Sequence, residues 1–171
     1  MVTASRMTSH RDKVRHWRER LPHARAGLRV TEAFGPVLEE WVGRGSGGLS
    51  FHTTQMLSGH GCFGEYLNEK ARREASTKCH YCKEERDTAQ HTLEVCPAWA
   101  NKYRVLTDRV GVNLFLLVIV RKMLDGPEGW NLVTSFCLRG GETEGERPPG
   151  FAEEETKGGG RRRRVYLQQH Q

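Results

Sequence analysis

With 171 residues, 36% of them hydrophobic and 28% charged, and with 19 glycines, the chain can bury one modest core but not a core along its full length. A formal net charge of +6 and a pI near 9.3 suit an anionic partner without choosing among nucleic acid, acidic protein and lipid surface. No apolar run approaches the roughly 20 residues that span a bilayer, and the N-terminus has no apolar stretch of the secretory kind, so no membrane partner is expected.

Residues 1–29 read as a basic N-terminal extension, in which Val14, Trp17, Arg18 and Leu21 predict a short helix over Asp12 to Leu21 ahead of Pro22. A helical domain is expected over residues 30–138. Its first helix runs from Val30 to Val42, with Val30, Phe34, Val37, Leu38, Trp41 and Val42 on one face. Thr31 is its expected N-cap, and Pro36 falls in its first turns. Gly43 to Gly48 then stop the helix and form a flexible joint. Leu49 to Leu57 and Cys62 to Arg73 predict two short amphipathic helices split by Gly59-His60-Gly61. The second carries Phe63, Tyr66 and Leu67 on one face and ends on Lys70, Arg72 and Arg73.

Between residues 79 and 96 lies Cys79-x2-Cys82-x8-His91-x4-Cys96. Thiolate and imidazole are preferred Zn²⁺ ligands, and four of them close a tetrahedral shell with no open position, which organises a domain and activates no water. The expected metal ligands are therefore Cys79, Cys82, His91 and Cys96, around Zn²⁺. Asp87 is the expected N-cap of a helix carrying His91. His91 and Cys96, five apart, would not share a face of one unbroken helix, so the chain must break between them. Cys62 is the nearest alternative ligand. It and Cys137 otherwise read as small buried hydrophobes, and His80 as a solvated loop residue. The odd count of five cysteines argues for a reducing, intracellular setting, nucleus or cytoplasm, without a disulfide framework.

After the cluster, Pro97 opens a helix that carries Trp99, Tyr103, Leu106 and Val110 as far as Gly111. Asn113 to Leu124 and Glu128 to Leu138 predict two more, separated by Asp125-Gly126-Pro127, with Leu114 to Val120 as a buried segment. Residues 139–171 have no periodicity and segregate an acidic block from Arg161–Arg164, the pattern of a disordered tail. The arginine run reads as a phosphate clamp, a nuclear import signal or a solvated tail. The fold class expected is mainly α: a small zinc-stabilised helical domain with a CCHC knuckle and disordered charged tails.

Basic residues flank the cluster, with aromatics interleaved. Arg72, Arg73, Lys78, Lys102 and Arg104, with Tyr81 as a stacking group, are the candidate nucleic-acid contacts, to RNA or to DNA. The loop between the ligands, KEERDTAQ, is acidic, so phosphate contact is expected from the flanking helices and not from the metal loop. No catalytic pattern is present: there is no GxxxxGK[ST] loop, no GxGxxG after a strand and no Ser-His-Asp arrangement. Glu39-Glu40 and Glu84-Glu85 read as solvated surface, and His52 and His60 as packing or capping residues.

The stretches LSFHTTQMLSGHGCFGEYL, CHYC, DTAQHTLEVCPAWA and GWNLVTSFC resemble the C-terminal region of reverse transcriptases of insect non-LTR (LINE-type) retrotransposons. The resemblance runs from about Leu49 to Cys137 and more loosely back to Trp17. It implies a Cys-Cys-His-Cys zinc knuckle behind a polymerase domain, with the same four ligands. It also implies a role in handling RNA or target DNA during priming, with a reverse transcriptase domain as neighbour. No Asp-Asp pair exists in this chain to hold polymerase metals, so no catalysis is expected of the segment itself. Two alternatives accompany this reading. One is a zinc-stabilised protein-interaction or architectural module. The other is a retrotransposon fragment without function that keeps an RNA-directed DNA polymerase label only by inheritance.

Overall fold

The computed structural model describes residues 10–45, 47–138, 151–153 and 164–166. The chain divides into one unit ending at Leu138 and a second beginning at Arg139. The first unit is helical throughout its regular structure, and its fold class is the mainly α one that the apolar periodicity predicts.

Helix α1 spans His10–Arg20 and packs on α3, Leu38–Gly43. Val14 is buried, and Arg18 pairs with Glu39 at 2.9 Å. Between them α2, Leu28–Phe34, ends in a 3-10 turn over Gly35–Val37. The single helix expected from Val30 to Val42 is thus two helices joined by a tighter turn. Pro36 is the physical reason, because it offers no N–H and its ring clashes with the preceding turn. Thr31 is not the N-cap: α2 starts earlier, Gly27 occupies that position at φ 67°, and the Thr31 hydroxyl donates to the Gly27 carbonyl at 3.0 Å.

The glycine-rich joint is not simply slack chain. A Cβ on Gly47, which sits at φ 98°, would lie 2.5 Å from the Trp130 ring, so the backbone passes against that indole where no side chain fits. Trp130 stacks on Trp41 at 5.6 Å, and Trp41 meets the edge of Phe34 at 4.7 Å.

Helix α4, Phe51–Ser58, is capped by Ser50, whose hydroxyl accepts the Thr53 N–H at 3.1 Å, and closed by Gly59 at φ 74°. Helix α5 covers only Gly64–Glu69. Lys70, Arg72 and Arg73 therefore lie beyond its end, not in a helical terminus, and Arg72 takes a left-handed φ of 54°. Helix α6 spans Ala89–Glu94, followed by a 3-10 turn Pro97–Trp99, α7 at Ala100–Val110, α8 at Leu116–Leu124 and α9 at Pro127–Leu138. Helix α8 packs on α9 and α2, and α9 also meets α4 and α7. Leu93, Leu106, Leu114, Ile119, Val120 and Val133 form the centre of the core.

One partly buried cation ties this core to the segment carrying the candidate metal cluster. Arg29 of α2 donates to the Met56 and Leu57 carbonyls at 3.2 and 3.1 Å and reaches Gln90 Oε1 of α6 at 3.4 Å. Gln90 in turn donates to the Leu114 carbonyl at 3.1 Å. Burial, opposed by nearby Glu94, lowers the Arg29 pKa.

Among the described residues no helix is long and apolar enough to cross a membrane. In the second unit, Phe151–Glu153 (β1) pairs antiparallel with Arg164–Tyr166 (β2), setting Glu153 opposite Arg164. This ribbon interrupts the region expected to lack structure, and the β-forming Phe151, Val165 and Tyr166 account for it. Residues 139–150, 154–163 and 167–171, including most of the arginine run, lie outside the described residues.

Candidate metal centre

The chain from Thr77 to Asp87 doubles back on itself. The Cys79 N–H donates to the Glu84 carbonyl at 2.8 Å, the Lys83 N–H to the Cys79 carbonyl at 2.9 Å and the Asp87 N–H to the Thr77 carbonyl at 2.8 Å. Lys83 turns the loop at φ 64°, directly after Cys82. This folded loop presents the Cys79 and Cys82 thiols on one side.

Helix α6 supplies the third candidate ligand, His91. Thr88 is its N-cap, its hydroxyl accepting the His91 N–H at 2.9 Å. The Val95 and Cys96 N–H groups both donate to the His91 carbonyl at 3.0 Å, which ends the helix. Cys96 is then extended (φ −65°, ψ 116°) ahead of Pro97. The break required between His91 and Cys96 falls where the spacing demands it.

Asp87 does something other than cap α6. Its carboxylate accepts the Gly64 N–H at 2.9 Å, across 23 positions of sequence, while its carbonyl accepts the Glu65 N–H at 3.0 Å. The first turn of a helix offers unpaired N–H groups, and α5 was the one within reach. Burial raises the Asp87 pKa, and the Gly64 hydrogen bond opposes that rise. Thr88, the next residue, was the local signal for the true cap, since its hydroxyl stands three positions before His91.

The four expected ligand atoms converge. Cys79, Cys82, His91 and Cys96 offer atoms all within 4.8 Å of one another. The Cys79 and Cys96 sulfurs are 3.9 Å apart, and Cys82 Sγ is 3.2 Å from His91 Nε2. Metal–sulfur bonds of about 2.3 Å at tetrahedral angles place two sulfurs roughly 3.8 Å apart, so this donor set fits one ion held between all four. Cys79, His91 and Cys96 are buried and Cys82 is partly so. The cluster could hold a metal ion and leaves no ligand position for water. Burial raises the Cys79 thiol and, foremost among its causes, pushes Cys96 up to about 12. A cation between them would favour the ionised form of the Cys79 and Cys96 thiols that burial opposes.

Among the described residues, the remaining cysteines and histidines lie outside the cluster. Cys137 is in the core, where burial pushes it up to about 12. Cys62, read as a buried hydrophobe, is exposed instead, on the turn between α4 and α5. His80 pairs with Glu74 at 2.9 Å.

The candidate nucleic-acid contacts are spread around this centre. Tyr81, 47% exposed, meets Trp99 edge-on at 5.7 Å, and Lys102 Nζ lies 4.3 Å over the Trp99 ring. Lys78 pairs with Glu85 at 2.9 Å, and Arg104 bonds Asn101 on its own helix at 2.6 Å. Arg72 and Arg73 are exposed and, among the described residues, make no ion pair. Glu39, Glu40, Glu84 and Glu85 are exposed, as solvated carboxylates should be. No family model, no curated protein and no solved structure matches this chain.

Proposed function

We propose that the centre holds one Zn²⁺ and that the helical unit is a nucleic-acid-binding module with no catalysis of its own. Three thiols and an imidazole are a soft donor set suited to zinc, and a shell they close has a structural role. The observation that carries the nucleic-acid reading is the cluster's outer side: the half-exposed Tyr81 ring against Trp99, with Lys102 beside it. An aromatic face next to a cation is what a base and its phosphate need. The resemblance of residues 49–137 to the C-terminal region of LINE-type reverse transcriptases supports this reading and suggests RNA or target DNA as the ligand.

A second reading, a protein-docking or architectural module, has one observation in its favour. Glu84 and Glu85 are exposed on the metal loop, Glu85 neutralises Lys78, and three thiolates on Zn²⁺ leave a net negative charge. Binding of single-stranded RNA and DNA across a salt series separates the two. Arg72→Glu, Arg73→Glu and Lys102→Glu should each flatten the log–log salt dependence by about 0.7 where a phosphate contact is lost. Tyr81→Ala should cost about 1–3 kcal/mol if a base stacks there. Affinity that ignores salt and all four changes would hand the module to a protein partner.

A further inference from the structure

We infer that one face of α1 is a second contact surface for single-stranded nucleic acid, built from Lys13, His16, Trp17 and Arg20. These residues stand at i, i+3, i+4 and i+7, the spacing that aligns side chains along one side of a helix. The helix uses another side to pack: Val14 is buried, and Arg18 is engaged with Glu39. What remains outward is an indole 55% exposed, flanked by a lysine and an arginine. The Arg20 guanidinium lies 3.3 Å from His16 Nε2, beside the indole. Asp12, an acid of the same helix, is already paired with Arg15 at 2.9 Å.

An exposed tryptophan in a cationic row fits a stacked base with phosphates on either side. A lipid surface fits worse. Interfacial helices insert a broad apolar face, and the apolar side of α1 is spent on the protein, leaving Trp17 as the one large apolar group outside. Double-stranded nucleic acid fits worse too, because its bases are already stacked and cannot lie on the indole. The inference rests on the nucleic-acid reading proposed above and extends it to a surface far from the metal ligands in sequence.

The test measures binding of the full chain to single-stranded RNA and DNA by fluorescence anisotropy. Trp17→Ala should weaken binding roughly 5- to 150-fold, the range of one lost stacking contact, and Trp17→Phe should recover most of it. Lys13→Glu with Arg20→Glu should flatten the salt dependence by roughly 1.4, two single-strand phosphate contacts. Because these side chains point outward, thermal unfolding should be unchanged in all of them. If the α1 variants bind like the parent while Tyr81→Ala and Lys102→Glu bind weakly, the α1 surface is refuted and the metal-side reading survives. If the parent shows no salt-dependent affinity for either strand, both fall. If the α1 variants lose binding to phosphatidylserine vesicles and keep nucleic-acid affinity, the face belongs to a lipid surface and the inference is overturned.

Discussion

Replacing Gly64 by alanine puts a methyl group where the metal loop already is. A Cβ there would sit 2.8 Å from both the Thr77 and the Lys78 carbonyl oxygens and 3.0 Å from the Thr77 carbonyl carbon. Comfortable contacts lie near 3.5 Å, so backbone must retreat by roughly 0.7 Å. No side-chain rotation relieves the clash, because the obstructing atoms are main chain. Overpacking of this kind costs about 1–3 kcal/mol. Alanine returns up to about 1 kcal/mol through helix propensity and a less entropic unfolded chain, leaving a net loss of up to about 2 kcal/mol even when that return is complete.

The retreating residues immediately precede Cys79, so the strain should appear in metal binding as well as in folding. A competing-chelator titration should find zinc held about tenfold more weakly for each 1.4 kcal/mol transmitted to the loop. Gly35→Ala is the matched control: its φ of −53° is helical and a Cβ there meets nothing within 4 Å. That change should be neutral or stabilising by up to about 1 kcal/mol. Denaturant unfolding of the metal-loaded pair decides the matter. If Gly64→Ala proves as harmless as Gly35→Ala, the close packing of α5 beneath the metal loop is wrong.

Native mass spectrometry should find one zinc per chain, lost with Cys79→Ser plus Cys96→Ser and kept with Cys62→Ser, which lies outside the cluster. Stripping the metal should melt the region around residues 79–110 in hydrogen exchange, since affinity at such sites is largely folding free energy. Because burial raises the Cys79 and Cys96 thiols beyond their ordinary value, which already lies above neutral pH, metal binding should expel their protons. Affinity should therefore rise with pH and fall as acid restores the thiols, and isothermal titration in buffers of different ionisation enthalpy counts the protons released. Asp87→Ala strands the buried Gly64 N–H and should cost about 1–3 kcal/mol in unfolding experiments. The purified chain should incorporate no nucleotide in primer extension, and template-dependent incorporation that survives removal of contaminating enzymes would refute the non-catalytic reading.

The cluster that could hold a metal was legible because its determinants are local. Two residues between Cys79 and Cys82, and a break before Pro97, state the geometry within a short stretch of chain. The helices from Ala100 to Leu138 were legible for the same reason, since Tyr103, Leu106 and Val110 on α7, and Leu116, Ile119, Val120 and Met123 on α8, keep the helical spacing of a core-facing side. What escaped was set by contacts distant in sequence or by competition between neighbours. Asp87 and Thr88 are both good caps, and only the position of Gly64 decides that Asp87 turns away and leaves the cap to Thr88. Gly47 reads as slack until Trp130 is seen against it. Arg29 reads as one more surface cation, although its guanidinium closes α4 and meets Gln90, 61 residues away.

That last contact links the candidate metal centre to the helical core. Helix α6 is too short to persist alone, since isolated helices below roughly 12 residues are marginal in water. It is held from both sides: Ala89 and Leu93 are buried in the core while His91, between them, faces the thiols. Gln90 links the same helix to Arg29 and to the Leu114 carbonyl. An ion pulling His91 toward Cys79 therefore draws Leu93 into the core, and a formed core in turn pre-positions His91 for the ion. Coupling of this kind runs both ways, so a cavity made at Leu93 should loosen the metal as surely as losing the metal should loosen Leu93. Leu93→Ala, expected to cost about 2–5 kcal/mol of stability, should accordingly raise the zinc dissociation constant as well. Unchanged metal affinity in that variant would mean that the loop and the core fold independently.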